Sequence, residues 1–161
     1  MSAKDQLLIQ YDLHNTLFNN VLLDINEAEA EVRLAPGINH IKWLAGHLVW
    51  GQLGLARMGN VTVVVPWTDH FNTQLKEPVD PSIKIPALEE IKNEWNKYDG
   101  PIRAGLEQMS AEALNSPIEF PLPAFKTTES LWTFINHHQA YTIGQIGILR
   151  RALGKEAMKY R

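Results

Sequence analysis

The sequence of 161 residues contains no cysteine, and this absence excludes several kinds of chemistry. Disulfide bonds, cysteine nucleophiles and thiolate metal sites all need a thiol, so none of them is available to this chain. A zinc or nickel site would have to use the other ligands that these metals prefer, which are imidazole and carboxylate.

Clustered charge of one sign is also missing. The formal net charge is −3, charged residues make up 20% of the chain, and there is no block of like charges. The densest basic group follows the last helical pattern, where cations complement the helix dipole. Because phosphate binding needs clustered lysine and arginine, the sequence predicts no nucleic-acid partner.

No hydrophobic run approaches the length of a membrane span. Residues 1–6 lead directly into an amphipathic pattern, without the apolar core of a signal peptide. We therefore expect a cytoplasmic protein with no membrane partner. The length fits one domain over residues 1–161, and 45% hydrophobic residues suffice for a sizeable core.

Apolar residues at three- and four-residue spacing predict four long helices. Their ranges are about 4–25, 39–60, 87–106 and 128–154. Asn39 and Thr128 are the predicted caps of the second and fourth helices. Pro101 predicts a kink in the third helix, because proline removes a backbone donor and crowds the preceding turn.

Two proline-bearing connections separate these helices. Residues 61–86 contain four prolines and the β-branched stretch VTVVVP, which has no evident partner strand and is interpreted as an extended connection. A short helix is expected around Phe71 to Leu75. Residues 110–127 form the second such connection. The predicted fold is all-α, a single four-helix bundle with long proline-bearing connections.

Polar residues interrupt the apolar face of the fourth predicted helix. His138, Thr142 and Gln145 follow one another at helical spacing, with apolar residues before and after them. His138 and Thr142 lie one above the other on the same side of the helix. Since buried polar groups cost free energy unless they are paired, we expect partners for them.

Two further histidines lie on apolar helical faces. His47 stands between Trp43 and Trp50 in the second helix, and His14 lies on the apolar face of the first. Either these imidazoles are hydrogen-bonded core groups, or they belong to a metal site of the kind that bundles assemble from facing helices. The residues alone leave both interpretations open.

Two stretches resemble the DinB/YfiT-like superfamily of four-helix bundles: INHIKWLAGHLVWGQ in the second helix and HQAYTIGQIGILRRALG in the fourth. The length and the proline-bearing connections extend the resemblance over the whole chain. Members of that family typically hold a divalent metal with three histidines, one from the second helix and an H-x-x-x-H pair from the fourth. By position, the resemblance implies His47 and His138 as metal ligands, with Thr142 at the third position.

Relatives in this family include metal-dependent transferases and isomerases that use small thiols such as bacillithiol or mycothiol, and the metal stabilises the thiolate. Here the site is incomplete, because a hydroxyl is a poor ligand for zinc or nickel. We therefore expect a divalent metal, zinc or nickel, to bind weakly or not at all. A third donor could come from His14, Asp69, His70 or a water held by Thr142.

Three functions remain open on this basis. The first is a metal-dependent enzyme, a transferase or a hydrolase-like protein acting on a small molecule. The second is a non-catalytic protein that binds a small ligand in a pocket lined by aromatic residues. The third is a dimeric structural protein with a vestigial metal site. The aromatic candidates for such a pocket are Trp43, Trp50, Trp67, Trp132 and Tyr141.

The resemblance also implies a homodimer, since members of the family often pair through bundle helices. Two other histidines are assigned no role. His137 points about 100° away from His138 around the helix and is expected at the surface. His40, near the start of the second helix, is expected to be solvated.

Overall fold

The computed structural model describes residues 2–71 and 84–161, and within them the fold is all-α. Four long helices and three short ones follow in the order α1 (Ala3–Val21), α2 (Glu27–Ala30), α3 (Ile41–Met58), α4 (Thr68–Phe71), α5 (Leu88–Gln108), α6 (Ala111–Asn115) and α7 (Thr128–Ala152). The long helices α1, α3, α5 and α7 are the four that the sequence predicts.

The helix starts are fixed by side-chain caps. Thr127 caps α7 by accepting a hydrogen bond from the Ser130 backbone N–H (3.2 Å), so the cap lies one residue before the predicted Thr128. The imidazole Nδ1 of His40 accepts from the Trp43 backbone N–H (3.1 Å) and caps α3 in place of the predicted Asn39. His40 is therefore half-buried rather than fully solvated.

The first helix is shorter than predicted. It ends at Val21, and Asp24 adopts a φ of 58°, a left-handed conformation that a continuing helix cannot contain. Ile25 is buried although it lies outside the helix. The apolar pattern therefore continued beyond the helix end, because a buried side chain does not require helical backbone.

Each long helix packs against two others. Helices α1 and α3 both contact α5 on one side and α7 on the other. The contact between α3 and α7 brings the second and fourth predicted helices together, as expected. Aromatic residues fill the centre, and the rings of Phe18 and Trp95 stack with centroids 4.0 Å apart.

Helix α5 continues through Pro101 and ends at Gln108. Pro101 is exposed, so its ring points away from the core. A proline removes a single backbone donor, and hydrogen bonds on either side of it can keep the helix continuous.

The connection after α3 is extended, as predicted, and within the described residues it forms no strand. Val61 and Val63 are buried while Val64 is 69% exposed, the alternation of an extended segment lying on a core. Gly105 of α5 permits this approach, because a Cβ there would lie 2.7 Å from a methyl group of Val61.

The short helix α4 begins at Thr68, three residues before the predicted short helix. It is described as far as Phe71, and residues 72–75 of the predicted helix fall outside the described residues. Phe71 is buried against α3, where a Cβ at Gly46 would lie 2.4 Å from its ring. Among the described helices, none is long and apolar enough to cross a membrane.

Candidate functional site

His47 of α3 and His138 of α7 meet between these two helices. Their ring centroids are 5.4 Å apart, and the ring planes lie at 73° to each other. Gly51 makes the approach possible, because a Cβ at this position would lie 3.1 Å from Cε1 of His138. A glycine one turn after His47 therefore sets how deeply His138 enters the helix interface.

Aromatic rings hold both imidazoles in place. Trp43, one turn before His47, stacks on it with centroids 4.9 Å apart and planes within 7°. Phe134, one turn before His138, stacks on that ring at 6.1 Å. Phe71 presents its edge to His47 at 6.4 Å. Ring packing among the described residues thus fixes the orientation of each histidine.

Burial keeps both histidines neutral. It lowers the pKa of His47 to about 4, with a smaller contribution from repulsion by His138. Burial also lowers the pKa of His138, and repulsion by His137 adds to it. A neutral imidazole has one N–H donor and one bare nitrogen. Within the described residues the Nδ1 atom of His47 is buried without a hydrogen-bond partner, which costs free energy unless a ligand or water satisfies it.

The histidine pair lies in the wall of two cavities. The larger cavity, about 440 Å³, continues along α3 and α7 past Trp50, Gly54 and Phe134. The smaller cavity, about 220 Å³, lies on the side of Trp43 and Thr142. Both volumes are bounded by His47 and His138, so a molecule in either one would contact the pair.

Most of the predicted lining residues border one of these cavities. Trp43, Tyr141, Thr142 and Gln145 line the smaller cavity, and Trp50 lines the larger one. Trp67 and Trp132 line neither. Trp67 packs on Phe71 instead, and Trp132 is buried against the backbone at Gly59. His137 is exposed, as expected, and stacks with Tyr141.

His14 lies outside both cavities, in a second buried polar cluster. Its Nδ1 atom is 3.2 Å from Oε1 of Gln139, and Nε2 of Gln139 donates to Oε1 of Gln52. The amide of Asn136 donates to the Leu7 carbonyl (3.2 Å). This cluster joins α1, α3 and α7, and its hydrogen bonds explain why a histidine is tolerated on the inner face of α1.

The sequence contained a signal for this cluster that the prediction did not use. Trp132, Asn136, Gln139, Ile143 and Ile146 follow the same helical spacing as the run through His138. Both runs begin and end with apolar residues, and α7 buries both because it packs against two helices. A helix between two neighbours has two inward faces, and the run through His138 marks only one of them.

The donor set does not fit a three-histidine metal centre. Thr142 is buried at the third position and offers a hydroxyl. Over residues 2–71 and 84–161, no three histidine or carboxylate side chains come close enough to hold a metal ion, so neither Asp69 nor His70 completes the pair. His47 and His138 alone provide fewer ligands than zinc sites in proteins use.

The fold and the facing histidines define an all-α bundle with a candidate site between its second and fourth long helices. The family model of the DinB superfamily matches residues 10–146, and the chain belongs to this superfamily. The fold is similar to that of a conserved protein from Enterococcus faecalis, known from its crystal structure. The two are 18% identical, with a TM-score of 0.74, over 96% of this chain and 99% of the other. No curated protein matches the chain.

Proposed function

We propose that this protein binds a small organic molecule in the cavity of about 440 Å³ between α3 and α7. One observation carries the proposal: the wall of the cavity is largely apolar and includes two neutral histidines, His47 and His138. Small-molecule sites are typically apolar cavities of several hundred cubic ångströms with a few polar groups that orient the ligand.

The rest of the wall supports the same function. Leu55, Met58, Trp50 and Phe134 supply apolar surface, and the histidine pair supplies hydrogen-bonding groups at one end. A ligand could accept from one imidazole N–H or donate to the bare nitrogen of the other, because both rings are neutral. The site thus combines the packing surface and the polar anchor that binding requires.

A metal-dependent enzyme is the second candidate, and the neutral imidazole pair on facing helices favours it. Zinc or nickel would use the bare nitrogens of His47 and His138, which lie on rings 5.4 Å apart. The transferase and isomerase reactions of thiol-dependent relatives need a metal that is held firmly. With Thr142 at the third position, we propose that this chain binds the metal only weakly.

Filling the cavity tests the first proposal. Gly54 lines it, and a Cβ at this position would meet no atom within 4 Å. Gly54→Leu therefore places a side chain in the cavity without a clash at Cβ. The neutral fluorescent probe N-phenyl-1-naphthylamine should bind the wild type and lose at least about tenfold in affinity in the variant. Gly144→Leu is the control, because Gly144 is exposed on α7 and has the same free space.

Equal probe binding by the wild type and Gly54→Leu would show that this cavity is not the binding site. Metal analysis of protein purified without a histidine tag separates the two candidates. A stoichiometric metal that resists dialysis would favour the metal-dependent enzyme. The cytoplasmic location inferred from the sequence stays a prediction.

A further inference from the structure

The larger cavity carries a single formal charge on its described wall. Arg57 of α3 lines it, and the two histidines that share the wall are neutral. Within the described residues, Arg57 has no carboxylate partner, whereas Arg103 pairs with Asp12 (2.8 Å) and Glu107 (3.1 Å). The local charge at the cavity is therefore positive, although the whole chain is acidic.

The shape of the cavity favours a flat ligand. Gly54 of α3 lines it, and a Cβ at this position would meet no atom within 4 Å, so the helix presents open backbone there. The planar rings of Phe134 and His138, stacked on each other, line it from α7. A ring system could lie against the glycine backbone and contact these aromatic side chains, an arrangement that aromatic groups favour.

We propose that the ligand is an aromatic carboxylate, with its ring between Gly54 of α3 and the aromatic residues of α7 and its carboxylate paired with Arg57. This rests on the proposed function, since it names the class of molecule that the same cavity binds. The guanidinium of arginine presents two parallel N–H groups that match a carboxylate, and such charge-assisted pairs are stronger than neutral hydrogen bonds. The histidine pair at the inner end can hydrogen-bond to polar groups on the ring.

Three probes with the same ring test the ligand class: 2-naphthoate, neutral 2-naphthalenemethanol and cationic 2-naphthylmethylammonium. Titration calorimetry with the full chain should show that the carboxylate binds about tenfold or more tightly than the alcohol, and the ammonium most weakly. Arg57→Gln should abolish the preference for the carboxylate over the alcohol.

Arg151→Gln is the matched control. Arg151 also lies in the last turn of a long helix, so this variant removes the same charge and the same favourable interaction with a helix dipole, but Arg151 lines neither cavity at the histidine pair. It should keep the preference for the carboxylate. A general effect of net charge on anion binding would appear equally in both variants and would overturn the role of Arg57.

The outcomes separate the ligand class from the proposed function. Equal binding of all three probes, or tightest binding of the ammonium, overturns the aromatic carboxylate while the cavity remains a binding site. If no naphthalene probe binds, or if Gly54→Leu leaves naphthoate binding unchanged, the cavity is not the site and the proposed function itself fails.

Discussion

Thr142 shows how one side chain changes what a site can hold. It is 2% exposed and borders the smaller cavity together with His47 and His138. The cavity of about 220 Å³ beside it leaves room for a larger side chain. A threonine hydroxyl cannot replace an imidazole nitrogen as a zinc ligand, although its backbone position one turn after His138 suits one.

We predict that Thr142→His gains tight zinc or nickel binding that the wild type lacks. The new imidazole would lie one turn from His138 on the same face of α7, with His47 completing the set from α3. Because the metal binds only to the folded state, a free zinc concentration of about a hundred times the Kd should raise the Tm by roughly 5–10 °C. Differential scanning calorimetry with and without zinc measures this shift.

Ala152→His is the control for this prediction. Ala152 is exposed on the same helix and has no histidine within four residues, so the variant adds an imidazole without adding a ligand to the pair. If Thr142→His folds normally and its Tm responds to zinc no more than that of Ala152→His, His138 and His47 are not positioned to share a metal. A stoichiometric metal in the wild type would instead mean that another residue supplies the third ligand.

At the scale of elements, two glycines of α3 differ in their surroundings: Gly46 is closely packed and Gly54 faces open space. A Cβ at Gly46 would lie 2.4 Å from the ring of Phe71, which packs α4 against α3, whereas a Cβ at Gly54 would meet no atom within 4 Å. Glycine in a helix interior costs about 1 kcal/mol relative to alanine. The first glycine is needed for packing between elements, and the second leaves the larger cavity open at a cost in stability.

We therefore predict opposite effects of alanine at these two positions. Gly54→Ala should raise the free energy of unfolding by up to about 1 kcal/mol. Gly46→Ala should lower it by roughly 1–3 kcal/mol, because overpacking against the buried Phe71 ring outweighs the gain in helix propensity. Urea denaturation of both variants checks the signs, and stabilisation by Gly46→Ala would show that α4 is not held tightly against α3.

Long elements could be predicted from the sequence more precisely than short ones. Helical periodicity needs several turns to show itself, so α1, α3, α5 and α7 were predictable, whereas α2 and α6 were not and α4 was indicated only as a short helix around Phe71 to Leu75. A four-residue helix such as α2 shows no periodicity, and α4 is positioned by the contact of Phe71 with Gly46. Tertiary contacts of this kind are invisible in local sequence.

The candidate site was predictable to a similar degree. His47 and His138 were identified through their apolar surroundings and the family resemblance, and the structure brings them together. The hydrogen bond between His14 and Gln139 was not predictable, because it depends on which two faces of α7 are buried. The cavity along Gly54 was not predictable either, because an open volume does not change the spacing of hydrophobic residues in the sequence.

At the scale of the whole molecule, we expect a homodimer. Tyr141 and Ile148 of α7 are 62% and 71% exposed and lie two turns apart on one face of the helix. Contact with a second copy of the chain would bury these two large side chains and so explain their position. Sedimentation velocity at micromolar concentration should show the dimer, and Ile148→Lys should shift it toward monomer. Ile9→Lys, at an exposed apolar residue of α1, is the control. A wild-type protein that sediments only as monomer contradicts this expectation.

Burial of histidines also couples the stability of the whole molecule to pH. Burial lowers the pKa values of His14, His40, His47 and His138 in the folded state. The unfolded chain has ordinary histidine pKa values near 6.5, so below that pH it binds protons that the folded state does not. The free energy of unfolding must therefore fall as the pH falls, and it is independent of these histidines above about pH 7.5.

The contribution of His47 can be isolated by comparing variants. With a folded-state pKa of about 4, this residue alone should lower the free energy of unfolding by roughly 2 to 3 kcal/mol between pH 7.5 and pH 4.5. Urea denaturation at the two pH values should show that His47→Gln loses less stability than the wild type, because glutamine does not titrate. His137→Gln, which removes an exposed histidine, should keep the wild-type difference. If His47→Gln keeps it as well, the pKa of His47 is the same in the folded and unfolded states, and burial does not make this imidazole resist protonation.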